Sequence, residues 1–173
     1  HFILFKPKDI VSGDFYWATK VISGSKFLVP GLDDSNQKPE TGNKELFYLA
    51  VCDSTGHGVP GAFMSLLNTS FLSEAINEKE ITEPSKVFDY VRSRLISSIS
   101  REGQKDGFDG ILLCLQPPSP KEKAGGMRLT YAAANNSPLL ISENKIVELH
   151  KDKMPVGLGE KTESFSLNQL EIK

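Results

Sequence analysis

The sequence predicts an α+β fold in which strands lie before and after a single pair of helices. Apolar runs of strand length flank two segments with helical spacing, and the order lacks the one-by-one alternation that predicts a parallel sheet. The chain has 173 residues, 39% hydrophobic and 24% charged, an ordinary composition for a globular domain with its own core. We therefore expect residues 1–173 to form a single α+β domain.

Charge and hydropathy exclude several classes of protein. The formal net charge is -2, which gives no general reason to expect nucleic acid or an anionic membrane surface as a partner. No apolar run approaches the ~20 residues that span a bilayer, and no signal peptide pattern is present. Cys52 and Cys114 lie in apolar runs, which favours small buried thiols rather than a disulfide or a nucleophile. Because the chain opens on His1 and stops at Lys173 in a strand-like pattern, we expect it to be part of a longer polypeptide.

Aromatic and apolar runs predict the first strands. Residues 10–17 place Gly13 and Asp14 just before an aromatic stretch with strand preference, and residues 26–30 form a second strand-like run. Residues 31–43 are polar and rich in turn formers, which predicts an exposed loop whose adjacent acids are solvated. A longer apolar run follows at 46–52.

Two amphipathic helices are predicted after that run. The first spans about residues 60–77, and the second begins at Thr82 and Pro84. Apolar residues recur in each at helical spacing, so we expect both helices to cover one face of a sheet. The expected core residues are Phe63, Leu66, Leu67, Phe71, Leu72 and Ala75 in the first helix and Val87, Phe88, Val91, Leu95 and Ile99 in the second.

The second half of the chain predicts strands only. The runs at 127–133, 138–142 and 145–149 are separated by short turns, which predicts an antiparallel meander. The dipeptide Asp106-Gly107 is typical of a tight hairpin turn. The remaining predicted strands lie at 111–115 and 163–172, the latter with a bulge or turn near Asn168 and Gln169.

A strand, a glycine turn and a helix follow one another directly between residues 46 and 64. Asp53 ends the apolar run, and Gly56 and Gly58 flank His57 before the helix at Pro60. A carboxylate at the end of a buried strand has a fixed backbone and exposed oxygens, and glycines let a ligand approach the main chain. This pattern is typical of ion and phosphate sites.

Each acid of interest also has an ordinary structural explanation. Asp53, Ser54 or Thr55 could cap the following helix, since their oxygens accept hydrogen bonds from its free N–H groups. Asp14 stands in a Gly-Asp pair typical of turns, and Asp109 stands in an Asp-Gly pair typical of hairpins. The residues alone leave these alternatives open.

Five segments together resemble one known family. They resemble the SpoIIE-type phosphatases, which are bacterial members of the metal-dependent 2C-type (PPM) serine/threonine protein phosphatases. The resemblance implies a four-layer αββα sandwich of two antiparallel sheets flanked by helices, here incomplete at the C-terminus. The segments are SGDFYW at 12–17, DSTGHGVPGAFMS at 53–65, GFD at 107–109, ANNSP at 134–138 and MPVG at 154–157.

The resemblance implies a site for two divalent cations, Mn²⁺ or Mg²⁺, at one edge between the sheets. Asp14 and Asp53 match metal ligands of the family, and Asp109 matches a further acid of the SpoIIE branch. Ser54 occupies the position whose backbone carbonyl faces the metals in the family. Hard cations prefer such oxygen ligands, and a pair about 4 Å apart clamps a phosphoryl group and acidifies a water. The implied activity is hydrolysis of phosphoserine or phosphothreonine by that water.

The chain departs from the family pattern at two places. Thr55 stands where eukaryotic 2C-type enzymes have a histidine, whereas His57 lies two positions later, between the phosphate-loop candidates Gly56 and Gly58. His57 is therefore a candidate for a phosphate contact or a proton donor. The Asp-Gly pair that completes the family's metal site is not reached before Lys173, so we expect weak metal binding and an inactive or impaired fragment.

The resemblance also implies the cellular setting. It implies a phosphorylated protein substrate similar to an anti-sigma-factor antagonist, an upstream sensory or receiver domain and a cytoplasmic location. No nucleic acid and no membrane contact by this fragment are expected. Two alternatives remain: a non-catalytic partner-binding or regulatory module on the same fold, and a metal-dependent phosphodiesterase or small-molecule phosphatase.

Overall fold

A computed structural model describes residues 4–6, 10–23, 44–99, 105–118 and 126–172. Within these ranges, no helix combines the length and the apolar character needed to cross a membrane. The predicted strand at 26–30 and the loop at 31–43 lie outside the described residues. The elements in chain order are β1 (Asp14–Ser23), β2 (Lys44–Ser54), α1 (Gly58–Ser73), a π-helical segment (Glu74–Glu78), α2 (Pro84–Ser98), β3 (Gly107–Gln116), β4 (Met127–Ala134), β5 (Leu139–Ser142), β6 (Lys145–Glu148), β7 (Val156–Gly157) and β8 (Asn168–Ile172).

Most of the described strands belong to one antiparallel sheet. Its order is β1-β2-β3-β4-β8, with the short β7 paired to the beginning of β3. Strands β5 and β6 form a separate two-stranded hairpin. The predicted meander of three strands is therefore wrong, although its second and third strands do pair.

The meander fails because both edges of the end of β4 are already occupied. One edge of β4 pairs with β3. On the other, Asp152 donates its backbone N–H to Ala133 O at 2.9 Å and accepts the N–H of Asn135 at 2.9 Å. Asn135 has a φ of 55° and turns the chain away from the sheet. Strand β5 therefore finds no free edge on β4 and pairs with β6 instead.

The helices pack on one face of the main sheet. Alternate residues of β2, from Leu46 to Ser54, are buried on that face, as the two-residue period of a strand requires. The prediction for α2 is confirmed, because Val87, Phe88, Val91 and Leu95 are fully buried and Pro84 stands in the first turn. Ile99 follows the last residue of α2 and is partly buried against the core. The cluster between sheet and helices includes Tyr48, Ala50, Leu72, Val87, Phe88, Val91, Leu95, Leu112 and Val156.

The predicted core face of α1 is wrong in its first half. Phe63 and Leu66 are each 68% exposed, whereas Gly61, Ser65 and Asn68 are buried. From Leu67 onward the stripe is as predicted, with Phe71, Leu72 and Ala75 in the core and Leu67 packed against it. The first two turns of α1 lie on the glycine turn and on strand backbone, where only small or polar side chains fit.

Among the residues that the structure describes, no helix lies on the other face of the main sheet, and the middle of that face is apolar. Tyr16, Phe47 and Val51 lie on this face and are 50%, 41% and 56% exposed. Alternation along each strand places Ile111 and Leu113 on the same face. An apolar sheet face of this kind is the surface on which a second sheet packs in a sandwich.

Two smaller predictions are also corrected. Asp106-Gly107 does not form a hairpin turn, because Gly107 is the first residue of β3 and pairs with Gly157 of β7. The strand predicted at 163–172 is regular only from Asn168 to Ile172. The break in alternation near Asn168 therefore marks the beginning of β8.

Candidate active site

Three acidic residues lie side by side at one end of the main sheet. Asp14 of β1 pairs with Asp53 of β2, and Asp53 pairs in turn with Asp109 of β3. Residues directly opposite one another in antiparallel strands have their side chains on the same face. We call these three residues the acid row; it lies on the face opposite the helices.

The structure resolves the alternatives that the sequence left open for these acids. The N-cap of α1 is His57, and no side chain donates or accepts a capping hydrogen bond there. Thr55 Oγ1 instead donates to Gly107 O at 3.1 Å. Asp109 lies inside β3 and pairs with Asp53 of β2, rather than standing in a hairpin turn. The capping and hairpin explanations are therefore wrong.

Negative charge is concentrated along the acid row. The pKa of Asp53 is raised by burial and by the neighbouring charge of Asp14, with a hydrogen bond to Asp14 and the charge of Asp109 adding to the effect. A carboxylate whose pKa is raised in this way is stabilised by a cation placed against it. Carboxylate oxygens are the ligands that Mg²⁺ and Mn²⁺ prefer, so the donor set fits the cations that the sequence predicted.

Neighbouring side chains orient the two outer acids. Ser12 Oγ lies 3.3 Å from Asp14 Oδ2 and accepts the backbone N–H of Asp14 at 2.9 Å. Asn135 Nδ2 donates to Asp109 Oδ1 at 2.8 Å. Over the described ranges, no three His, Cys, Asp or Glu side chains converge closely enough to hold one metal ion. The backbone thus aligns the acids, and the two outer carboxylates also hydrogen-bond to Ser12 and to Asn135.

The glycine turn beside the acid row is packed backbone against backbone. Gly56 and Gly58 have φ angles of 92° and 59°, which favour glycine. A Cβ on Gly13 would lie 2.6 Å from Gly56 O and 2.9 Å from Ser54 O. A Cβ on Gly61 would lie 2.6 Å from the same Gly56 O. The carbonyl of Ser54 therefore faces the start of β1, next to Asp14.

Buried polar side chains of α1 fasten the ends of the two strands that carry Asp14 and Asp53. Ser65 Oγ donates to Gly13 O at 2.6 Å, and Asn68 Nδ2 donates to Ser54 Oγ at 2.9 Å. Asn68 is fully buried, and its Oδ1 has no hydrogen-bond partner among the described atoms. The sequence did not predict this role for Ser65 and Asn68. Their spacing from Gly61 nevertheless places the three residues on one face of the helix.

The histidine and the two cysteines considered in the sequence have different surroundings. His57 is exposed at the start of α1, and its catalytic role stays a prediction. Cys52 and Cys114 are free and buried, as predicted. Burial raises the pKa of both thiols, so neither is a nucleophile at neutral pH.

Comparison with known proteins identifies the family. Residues 43–173 match the family model described as Stage II sporulation protein E (SpoIIE). The chain belongs to the SpoIIE family. Among curated proteins, none shows significant similarity to it.

Solved structures of other SpoIIE-family and PP2C domains share the fold of this SpoIIE-family chain. The SiaA-PP2C domain of Pseudomonas aeruginosa matches 99% of the chain with a TM-score of 0.70 at 21% identity. The PP2C phosphatase domain of SpoIIE from Bacillus subtilis, solved with a fragment of its regulatory domain, matches 95% with a TM-score of 0.60 at 17% identity. The predicted fold class, an incomplete αββα sandwich, is therefore confirmed. The chain covers 56% and 39% of those two structures.

Proposed function

We propose that this SpoIIE-family chain is part of a metal-dependent phosphatase that removes phosphate from serine or threonine of a regulatory protein. The observation that supports this most directly is the acid row, because adjacent strands align Asp14, Asp53 and Asp109 on one face. Burial and the neighbouring charges of Asp14 and Asp109 raise the pKa of Asp53, which matches a site for divalent cations.

Each residue of the site has a definite part in the proposed reaction. Asp14, Asp53 and Asp109, with the carbonyl of Ser54, would hold two divalent cations, Mn²⁺ or Mg²⁺. Such cations supply Lewis acidity toward a phosphoryl group and a water.

The neighbouring side chains hold these ligands and the phosphoryl group in place. Asn135 fixes the orientation of Asp109 through its hydrogen bond of 2.8 Å. The N–H groups of the turn at Gly56 and Gly58 would contact the phosphoryl oxygens, and His57 would hold a proton near the leaving oxygen.

The cellular setting that the resemblance implies forms part of the same proposal. The substrate would be a phosphorylated protein similar to an anti-sigma-factor antagonist. A sensory or receiver domain upstream in the same polypeptide would control the activity in the cytoplasm. The formal net charge of -2 gives no general reason to expect nucleic acid as a partner.

One observation favours a second candidate function. The carboxylates of the acid row do not converge on a single point within the described part of the chain. A non-catalytic module that binds a partner or regulates the rest of the protein would keep the fold without needing that convergence. The two candidates differ in whether the full-length protein binds Mn²⁺ and hydrolyses phosphoesters.

The deciding experiment measures Mn²⁺-dependent hydrolysis of p-nitrophenyl phosphate and a phosphoserine peptide by the full-length protein. Asp53→Asn should reduce kcat/KM more than about 100-fold, since even outer partners of metal ligands contribute 10–100-fold. Glu45→Gln is the matched control, because Glu45 is an exposed acid at the other end of β2 that pairs only with Lys20 in the described contacts. A folded full-length protein that neither binds Mn²⁺ nor hydrolyses either compound would favour the non-catalytic module.

A further inference from the structure

A cavity next to the acid row is lined by lysines. Its volume is about 290 Å³. The cavity lies between the segment that precedes β3, the turn after β4 and the loops on either side of β7. Lys105, Lys153 and Lys161 line it, together with one acid, Glu160. Pockets for small molecules range upward from about 300 Å³, so this one suits a short stretch of side chains rather than a cofactor.

Asn135 connects this cavity to the acid row. It lines the cavity, and its Nδ2 donates to Asp109 Oδ1 at 2.8 Å. Its backbone is held in the left-handed region, with a φ of 55°, by the hydrogen bond from its N–H to Asp152 O at 2.9 Å. A ligand that fills the cavity therefore contacts the same residue whose side chain orients one acid of the site.

The charge of the cavity is opposite to that of the acid row and of the chain as a whole. Three lysines and one glutamate line it, in a chain whose formal net charge is -2. The pair between Lys105 and Glu160 is long, at 3.8 Å, and both side chains are largely exposed, at 67% and 91%. An exposed ion pair of this kind contributes little to stability, so a stronger anionic partner displaces Glu160 from Lys105 easily.

We propose that this cavity binds acidic residues that flank the phosphorylated side chain of a protein substrate. The inference rests on the proposed phosphatase function and adds the substrate class. When the phosphoryl group of the substrate is bound at the acid row with its cations, the residues that flank it in the substrate would lie over Asn135 and the lysines of the cavity. The basic cavity then attracts Asp or Glu at those positions and disfavours Lys or Arg. The apolar side chains of the lining belong to Met154, which is buried, Pro155 and Leu158.

The test compares phosphoserine peptides with acidic, neutral and basic flanks on the full-length protein. We expect the acidic peptide to have a KM roughly tenfold below that of the neutral one, with the advantage falling as salt is added. The double variant Lys153→Glu and Lys161→Glu should abolish this advantage and favour the basic peptide. Lys86→Glu, an exposed lysine of α2 away from the cavity, is the matched control and should keep the preference.

Binding measurements separate this inference from the proposed function. Fluorescence anisotropy of labelled phosphonate peptides, which resist hydrolysis, reports the flank preference in Mn²⁺ without turnover. Equal affinity for the three peptides, or an unchanged preference in the double variant, would show that the lysines form only a solvated surface. If the unmodified full-length protein does not hydrolyse p-nitrophenyl phosphate, the proposed phosphatase function is overturned, whatever the peptides show.

Discussion

Replacing Gly61 by alanine tests the backbone packing beneath the acid row. In an ordinary helix this change stabilises by about 0.8–1.0 kcal/mol, because alanine has the higher helix propensity. Here the new Cβ would lie 2.6 Å from Gly56 O, 2.9 Å from Gly56 C and 3.1 Å from Gly13 Cα. All three obstacles are backbone atoms, so the turn or the start of β1 must move, at a cost of about 2–3 kcal/mol. We therefore expect a net loss of about 1–2 kcal/mol in the free energy of unfolding.

Urea denaturation followed by circular dichroism measures this loss. Ala62→Gly in the same turn of α1 calibrates the propensity contribution, and it should cost about 1 kcal/mol. A Gly61→Ala protein that is more stable than the parent by the propensity value would refute the packing argument. The same result would show that the glycine turn can move away from α1 without cost.

The remaining predictions concern the polar contacts of α1 and the two thiols. Ser65→Ala should lower the free energy of unfolding by about 1–2 kcal/mol, because the buried hydrogen bond to the strand backbone is lost, and urea denaturation measures it. Hydrogen bonding to Tyr90 lowers the pKa of Glu74, so its contribution to stability is present above about pH 4.5 and lost as the pH falls further. Tyr90→Phe should therefore make the acid-induced loss of stability shallower in a pH series of denaturation curves, and an unchanged slope would contradict this. Iodoacetamide at pH 8 should leave Cys52 unmodified in the native protein and label it in urea, as read by mass spectrometry, because burial raises the pKa of its thiol.

The central strands and α2 could be predicted from periodicity because their neighbours are apolar layers. The first half of α1 could not, since it packs on the backbone of a turn and of a strand end. Phe63 and Leu66 follow the helical pattern and yet remain exposed, because small residues and a serine occupy the buried side. The periodicity identifies the apolar residues of a helix. Which face of the helix becomes buried depends on the element that packs against it.

The three acids of the candidate site were predicted together only through the resemblance to the SpoIIE-type phosphatases, because the strand patterns alone left turn, cap and hairpin roles open for them. Their alignment across three strands required the register, which no single strand specifies. Ser65 and Asn135 were missed for a related reason. Ser65 contacts Gly13, 52 residues away, and Asn135 contacts Asp109, 26 residues away. Their roles are set by contacts between distant segments, and neither residue type is unusual in its local sequence.

The register of the sheet also determines which changes in chain length the site tolerates. One residue added inside β2 would rotate Asp53 to the helix side of the sheet, since successive side chains of a strand point to opposite faces. One residue added between β1 and β2 leaves the pairing of Asp14 with Asp53 intact. Related chains should therefore differ in length between strands while keeping a fixed number of residues within them. The alignment of the acid row therefore excludes insertions and deletions within these strands and permits them between the strands.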